Sequence, residues 1–144
     1  MLPPAGETTR TIEEVQRLRG TGRERGVAFN EYLAQLNKGR QEVRAETRLG
    51  RRMHDVGDIP GLTTQLRIEG KNYRRFLTVN GKTLKGSVPL SAEIRSQIYK
   101  DVLFVREGRK LGTQRLVQWE FGGAGPSDEL AALLQRWGIP YVRH

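Results

Sequence analysis

From Gln41 to Tyr73 the side chains alternate with a period of two, interrupted by turns, and a helix cannot accommodate that pattern. Val43, Ala45, Thr47 and Leu49 alternate with Glu42, Arg44, Glu46 and Arg48, which predicts a strand over 41–49. Gly50 turns the chain into a second strand through Met53, Asp55 and Gly57. Asp58-Ile59-Pro60-Gly61 is a turn cluster. Thr63 to Tyr73 reads as a third strand, with Leu66 and Ile68 facing one way and Arg67, Glu69, Lys71 and Tyr73 the other.

Helical signals flank these strands. Thr11 can cap a short helix to Arg19, with Glu13 and Glu14 in its first turn. Val27, Phe29, Tyr32, Leu33 and Leu36 predict a second helix over 23–37, ending near Gly39. Asn80-Gly81 is a tight-turn signal, so a hairpin or long loop fits 76–88. Ser91 caps a helix whose apolar stripe is Ile94, Ile98, Val102 and Val105, and Gly108 to Gly112 ends it. Arg115 to Phe121 is a strand, Ser127 caps a helix through Trp137, and Ile139 to Val142 is a last short strand. The order α-α-β-β-β-α-β-α-β predicts an α/β protein with a mixed sheet. At 144 residues it forms one domain, 11–144, and the Pro/Gly/Thr-rich residues 1–10 read as a loose linker end cut from a longer protein.

The charge balance narrows the partners. Lys and Arg number 25 against 16 Asp and Glu, giving +9 and a pI near 10.5, which favours polyanions such as DNA, RNA or an anionic membrane. There is no cysteine and there are two His, so thiolate chemistry, disulfides and a His-rich metal site are excluded. No apolar run approaches the roughly 18 residues that span a bilayer. Arg52, Arg74, Arg75, Lys82, Lys85 and Arg95 are the candidate phosphate contacts, which carry no sequence information. Trp119, Phe121 and Trp137 sit in apolar settings and read as core.

One short segment carries chemistry. Glu69 and Lys71, at i and i+2 on a strand, project a carboxylate and an ammonium side by side. With Asp55 from the preceding strand and the carbonyl of Gly70, Glu69 offers hard oxygens to Mg²⁺ or Mn²⁺, the donors such ions take. Phosphodiester hydrolysis needs an activated water and stabilised phosphate charge, and Lys71 stands ready to hold the water or offset that charge. Gln97 and Asp101, one turn apart just off the helix stripe, would meet the sheet near this site. Glu31 joins the metal or lies on a solvated helix face; Asp58, in the turn before Pro60, competes with Asp55 as ligand. His54 faces away from Asp55 and reads as structural or exposed.

Four segments together resemble a known family: Gly50-Arg-Arg-Met-His-Asp-Val56, Ile68-Glu-Gly-Lys-Asn-Tyr73, Val88 through Asp101, and Gly138-Ile-Pro-Tyr-Val142. They resemble, over about residues 23–144, the restriction-endonuclease-fold toxin domains at the C-termini of bacterial polymorphic toxins, in the PD-(D/E)xK nuclease superfamily. The resemblance implies an αβββαβ core with N-terminal helices and a C-terminal αβ extension. It implies a metal-dependent nuclease, with Asp55, Glu69 and Lys71 as the catalytic triplet and Gln97 as the polar residue on the next helix. The leading reading is a DNase, with RNA as the alternative substrate, and the resemblance further implies delivery within a larger secreted protein, action in the target cell's cytoplasm and a dedicated immunity protein, expected to be acidic against a +9 domain. Two positions depart from the pattern. His54 stands where Pro would precede Asp55, which leaves Asp55 and Asp58 open, and Gly70 replaces an apolar residue. Two other functions compete: a non-catalytic basic nucleic-acid-binding module, with Glu69 and Lys71 as a surface ion pair, and a housekeeping repair or resolvase nuclease.

Overall fold

The computed structural model of the chain describes residues Gly6–His144. Eleven elements follow one another: α1 (Ile12–Arg17), α2 (Gly22–Asn37), β1 (Arg40–Thr47), β2 (Gly50–Gly57), β3 (Gln65–Lys71), β4 (Phe76–Val79), β5 (Lys82–Lys85), α3 (Ala92–Lys110), β6 (Arg115–Phe121), α4 (Asp128–Arg136) and β7 (Tyr141–Arg143). The main sheet is mixed and has the order β1-β2-β3-β6-β7. β1, β2 and β3 form an antiparallel meander, and β6 and β7 add in parallel. α3 makes the long crossover that a parallel β3–β6 pair requires.

Helices cover both faces. On one, Phe29, Leu33 and Ala34 of α2, with Val15 of α1, bury against Val56 and Ile68. On the other, Ile94, Ile98 and Phe104 of α3 and Leu130 and Leu134 of α4 bury against Val117, Trp119 and Phe121 of β6. Each fully buried side chain of this size contributes about 1.5–3 kcal/mol. The capping residues act as their types dictate: Thr11 and Glu14 close a capping box, and Ser91 Oγ accepts the Ile94 N–H at 3.1 Å.

β3 has the facing expected from its alternation. Ile68 lies on the α2 side, and Arg67, Glu69 and Lys71 lie on the α3 side with Phe104, Asp101, Gln97 and Trp119. The stripe of α3 is rotated from its expected position. Asp101 and Phe104 are fully buried, while Val102 and Val105 are only partly so. β2 changes face midway, since the His54 ring meets Phe104 of α3 edge-on whereas Val56 joins the α2 cluster. Residues two apart on a regular strand share a face. The reversal falls at Asp55, opposite Glu42, whose φ of 55° lies in the left-handed region. That pair is missing from the β1–β2 ladder between Gln41↔Val56 and Val43↔His54.

Residues 76–85 form the expected hairpin. Asn80 and Gly81, with φ of 50° and 73°, make its turn. β4 and β5 pair only with each other, and both are exposed along their whole length. Of the expected loose segment 1–10, residues 1–5 lie outside the described residues. Gly6 and Thr9 are tied to α2 through Leu36 O and Gln35. Among the described residues no helix is long and apolar enough to cross a membrane.

Candidate active site

β2 and β3 touch in register at Val56↔Ile68. Continuing that antiparallel register sets Asp55 opposite Glu69. The Asp55 carboxylate accepts the Gly70 N–H at 2.8 Å. Gly70 itself lies flat under α2, where a Cβ would run into Asn30 and Leu33. A side chain between Glu69 and Lys71 would therefore require Asn30 and Leu33 of α2 to shift. Burial, followed by the neighbouring Glu69 charge, raises the Asp55 carboxyl to about 8, against the partial relief of the Gly70 N–H.

Lys71 Nζ lies 3.0 Å from Glu69 Oε2 and donates to Gln97 Oε1 at 3.0 Å, over the ring of Trp119. Asp55 from β2, Glu69 and Lys71 from β3 and Gln97 from α3 thus meet at one end of β3. The sequence predicted this grouping. Glu69 is only 3% exposed, so its pairing with Lys71 is not the surface ion pair of the non-catalytic alternative. Its other oxygen lies 3.1 Å from Arg52 Nη2, an ion pair without an aligned N–H.

Arg52 therefore does not contact phosphate. It is buried, held by Glu69 and by Asp101, with Nε 2.9 Å from Asp101 Oδ1. Asp101 is the hub of a buried network. It also takes His54 Nε2 at 2.8 Å and the Trp119 indole N–H at 2.9 Å. Arg67 donates to His54 Nδ1 at 3.3 Å, so the imidazole N–H resides on Nε2 and points at Asp101. Burial holds His54 below its usual range, helped by the charges of Arg52 and Arg67. Burial alone would lift Asp101, but the His54 hydrogen bond and the Arg52 charge outweigh it and hold the carboxyl low.

Two further candidate ligands also stand elsewhere. Asp58 has a φ of 51° in its turn and pairs with Arg40 at 3.6 Å. Glu31 accepts from Gln35 on its own helix. Neither they nor Asp101 join Asp55 and Glu69. Among the described residues no three acidic or imidazole side chains converge. Arg74, Arg75, Lys82, Lys85 and Arg95 are all exposed, as phosphate contacts must be. The sequence reading missed the Arg52–Asp101–His54–Arg67 network, and it missed Arg19 and Arg25, which line a groove with Arg74 and Arg75. The placement of Arg25 and Arg74 along one groove had no signal in the linear sequence.

No protein-family model, curated protein or solved structure matches the chain.

Proposed function

We propose that this chain is a divalent-cation-dependent nuclease of the restriction-endonuclease type that hydrolyses phosphodiester bonds. The observation that carries the reading is the convergence of Asp55, Glu69, Lys71 and Gln97 from three elements onto one end of β3. Further support comes from the order of α2, β1, β2, β3, α3 and β6, which follows the αβββαβ pattern of that core. The excess of basic residues suits a nucleic acid.

The donors fit Mg²⁺ or Mn²⁺. Asp55, Glu69 and the Gly70 carbonyl would hold the ion, and two crowded, buried carboxylates are relieved most directly by a divalent cation between them. When bound, such an ion supplies charge stabilisation to the phosphate and a more acidic water. Lys71 Nζ, fixed between Glu69 and Gln97, presents a positive charge to the phosphate and can take or give a proton at the attacking or leaving oxygen. Gln97 and the Trp119 face keep that ammonium in one position. Arg52, anchored by Asp101, keeps the Glu69 carboxylate aimed.

Deployment as a toxin domain of a larger secreted protein, acting in the target cell's cytoplasm and held by an acidic immunity protein, rests on the sequence resemblance. One observation favours a second reading, that of a non-catalytic nucleic-acid-binding module. Both Glu69 oxygens already face cations, as they would in an ion pair that only stabilises the fold. Digestion of plasmid DNA and total RNA, with Mg²⁺ and with EDTA, decides between them. Cation-dependent cleavage that disappears in Lys71→Ala supports the nuclease, and intact substrate in every lane supports the binding module.

A further inference from the structure

A groove runs away from the Lys71 end of β3, between the first turn of α2 and the segment that follows β3. Two adjoining cavities, about 570 Å³ and about 620 Å³, share Arg25, Asn72, Tyr73 and Arg74 in their linings. Gly70 and Lys71 line its near end, and Arg19 and Arg75 its far end. Five cationic side chains line it and no Asp or Glu does. Arg19, Arg25 and Arg74 have no acidic partner among the described residues. Burial, followed by the charge of Arg74, holds the Arg25 guanidinium below its usual range. Two aromatic rings stand in the same groove, Tyr73 at 43% and Phe76 at 59% exposure. The floor is rigid at one point, where Asn72 Nδ2 donates to the Arg25 carbonyl at 3.0 Å.

We propose that this groove binds a single unpaired nucleic-acid strand, its phosphates on Arg25 and Arg74 and its bases against Tyr73 and Phe76. Arginines alone would serve a duplex backbone equally well. Exposed rings between them serve unpaired bases, because only an unpaired base offers its face for stacking. The volume suits one or two nucleotides, since pockets that enclose small ligands measure about 300–1,000 Å³. The inference rests on the nuclease reading only in where the strand leads: toward Lys71, the groove delivers it to Asp55 and Glu69. DNA and RNA share the strand chemistry.

The test is fluorescence anisotropy on the whole chain in EDTA, where no cleavage competes. The probes are one labelled oligonucleotide sequence as DNA and as RNA, each single-stranded and as a blunt duplex, with poly-glutamate as competitor. Single strands should bind about tenfold or more tighter than duplex, and the ratio of the DNA and RNA affinities assigns the source. Tyr73→Ala combined with Phe76→Ala should weaken single-strand binding about 10- to 100-fold and leave duplex binding unchanged. Arg25→Ala combined with Arg74→Ala should weaken both and reduce the salt slope on single strands by about 1.4. All four side chains are exposed or at the groove wall, and the Asn72 bond uses the Arg25 backbone. Unchanged thermal melting verifies that each variant is folded, and Tyr73→Phe should retain binding. Equal or tighter duplex binding, indifference to the aromatic variant, or displacement by poly-glutamate as effective as by unlabelled strand overturns the proposal. A parallel Mg²⁺ digestion separates the two ideas. Cleavage without single-strand preference removes the groove and keeps the nuclease, whereas single-strand binding without cleavage keeps the groove and removes the nuclease.

Discussion

Asp55 and Glu69 face each other across two strands, and the first consequence at the scale of single residues concerns protons. The Asp55 carboxyl is raised to about 8 in the fold, whereas in the unfolded chain it titrates near 3.9, as a free Asp does. The folded state therefore holds its proton more tightly, and the stability this contributes is full below about pH 4 and is lost as pH rises toward about 8. Asp55→Asn should flatten that decline, which thermal melts across this range would show; parallel slopes for the two proteins would contradict the account. A divalent cation competes with the same proton, so Mg²⁺ should raise the melting temperature more at pH 8 than at pH 6. Lys71→Ala should lower the cleavage rate by about 10²–10⁴-fold and cost some stability, because the side chain is only 14% exposed and pairs with the buried Glu69. Glu69→Gln should lose cleavage and some stability as well, since its Arg52 partner is buried. Asp58→Ala should remain active, for Asp58 lies in an exposed turn against Arg40.

At the scale of elements, the buried network ties β2 and β3 to α3. Asp101→Ala leaves Arg52 and His54 facing an empty position and should cost on the order of 3–5 kcal/mol in urea unfolding. Gln97→Ala, one turn earlier, should cost far less stability while still reducing cleavage. Amide exchange should be fast in β4 and β5, whose strands are exposed throughout, and slow in β3 and β6. Comparable protection in the hairpin would show that something covers it. The elements themselves were legible in the sequence. The alternation of 41–73, the Asn80-Gly81 turn and the Ser91 and Ser127 caps are local signals, and each appears where the residues indicate. Strand periodicity put Glu69 and Lys71 on one face, and Asp55 and Gln97 were expected beside them with Asp58, Asp101 and Glu31 as open alternatives. The burial of Arg52, His54, Arg67 and Asp101 was not legible. Such residues are ordinarily solvated, and only mutual pairing in three dimensions makes their burial tolerable. The same effect moved the α3 stripe: Asp101 was expected just off it, near the sheet, and its partners on β2 and β6 draw it into full burial. The reversal of β2 at Asp55 was hidden too, since nothing in Glu42 announces a left-handed backbone.

At the scale of the whole molecule, the net charge of +9 suits both proposed partners, a nucleic acid and an acidic immunity protein. Nucleic-acid affinity should fall steeply with salt, and replacing Arg74 and Arg75 together should weaken binding alike for all base sequences. A flat salt dependence would count against phosphate tracking. An immunity protein of opposite charge should associate quickly and in a salt-sensitive way, covering the end of β3 or the groove beside it. Co-expression with the neighbouring open reading frame, followed by pull-down, would show such a partner, and failure to bind or block cleavage would favour a housekeeping nuclease. The central claim is that Asp55, Glu69, Lys71 and Gln97 form a cation-dependent phosphodiesterase site. The most direct measurement compares the purified chain and Lys71→Ala on plasmid DNA and on total RNA, each with Mg²⁺ and with EDTA, after melting curves have established that both are folded. The account predicts cleavage by the unaltered chain in Mg²⁺ alone and none by the variant. Cleavage that survives EDTA or the loss of Lys71, or a folded chain that leaves both substrates intact, would contradict it.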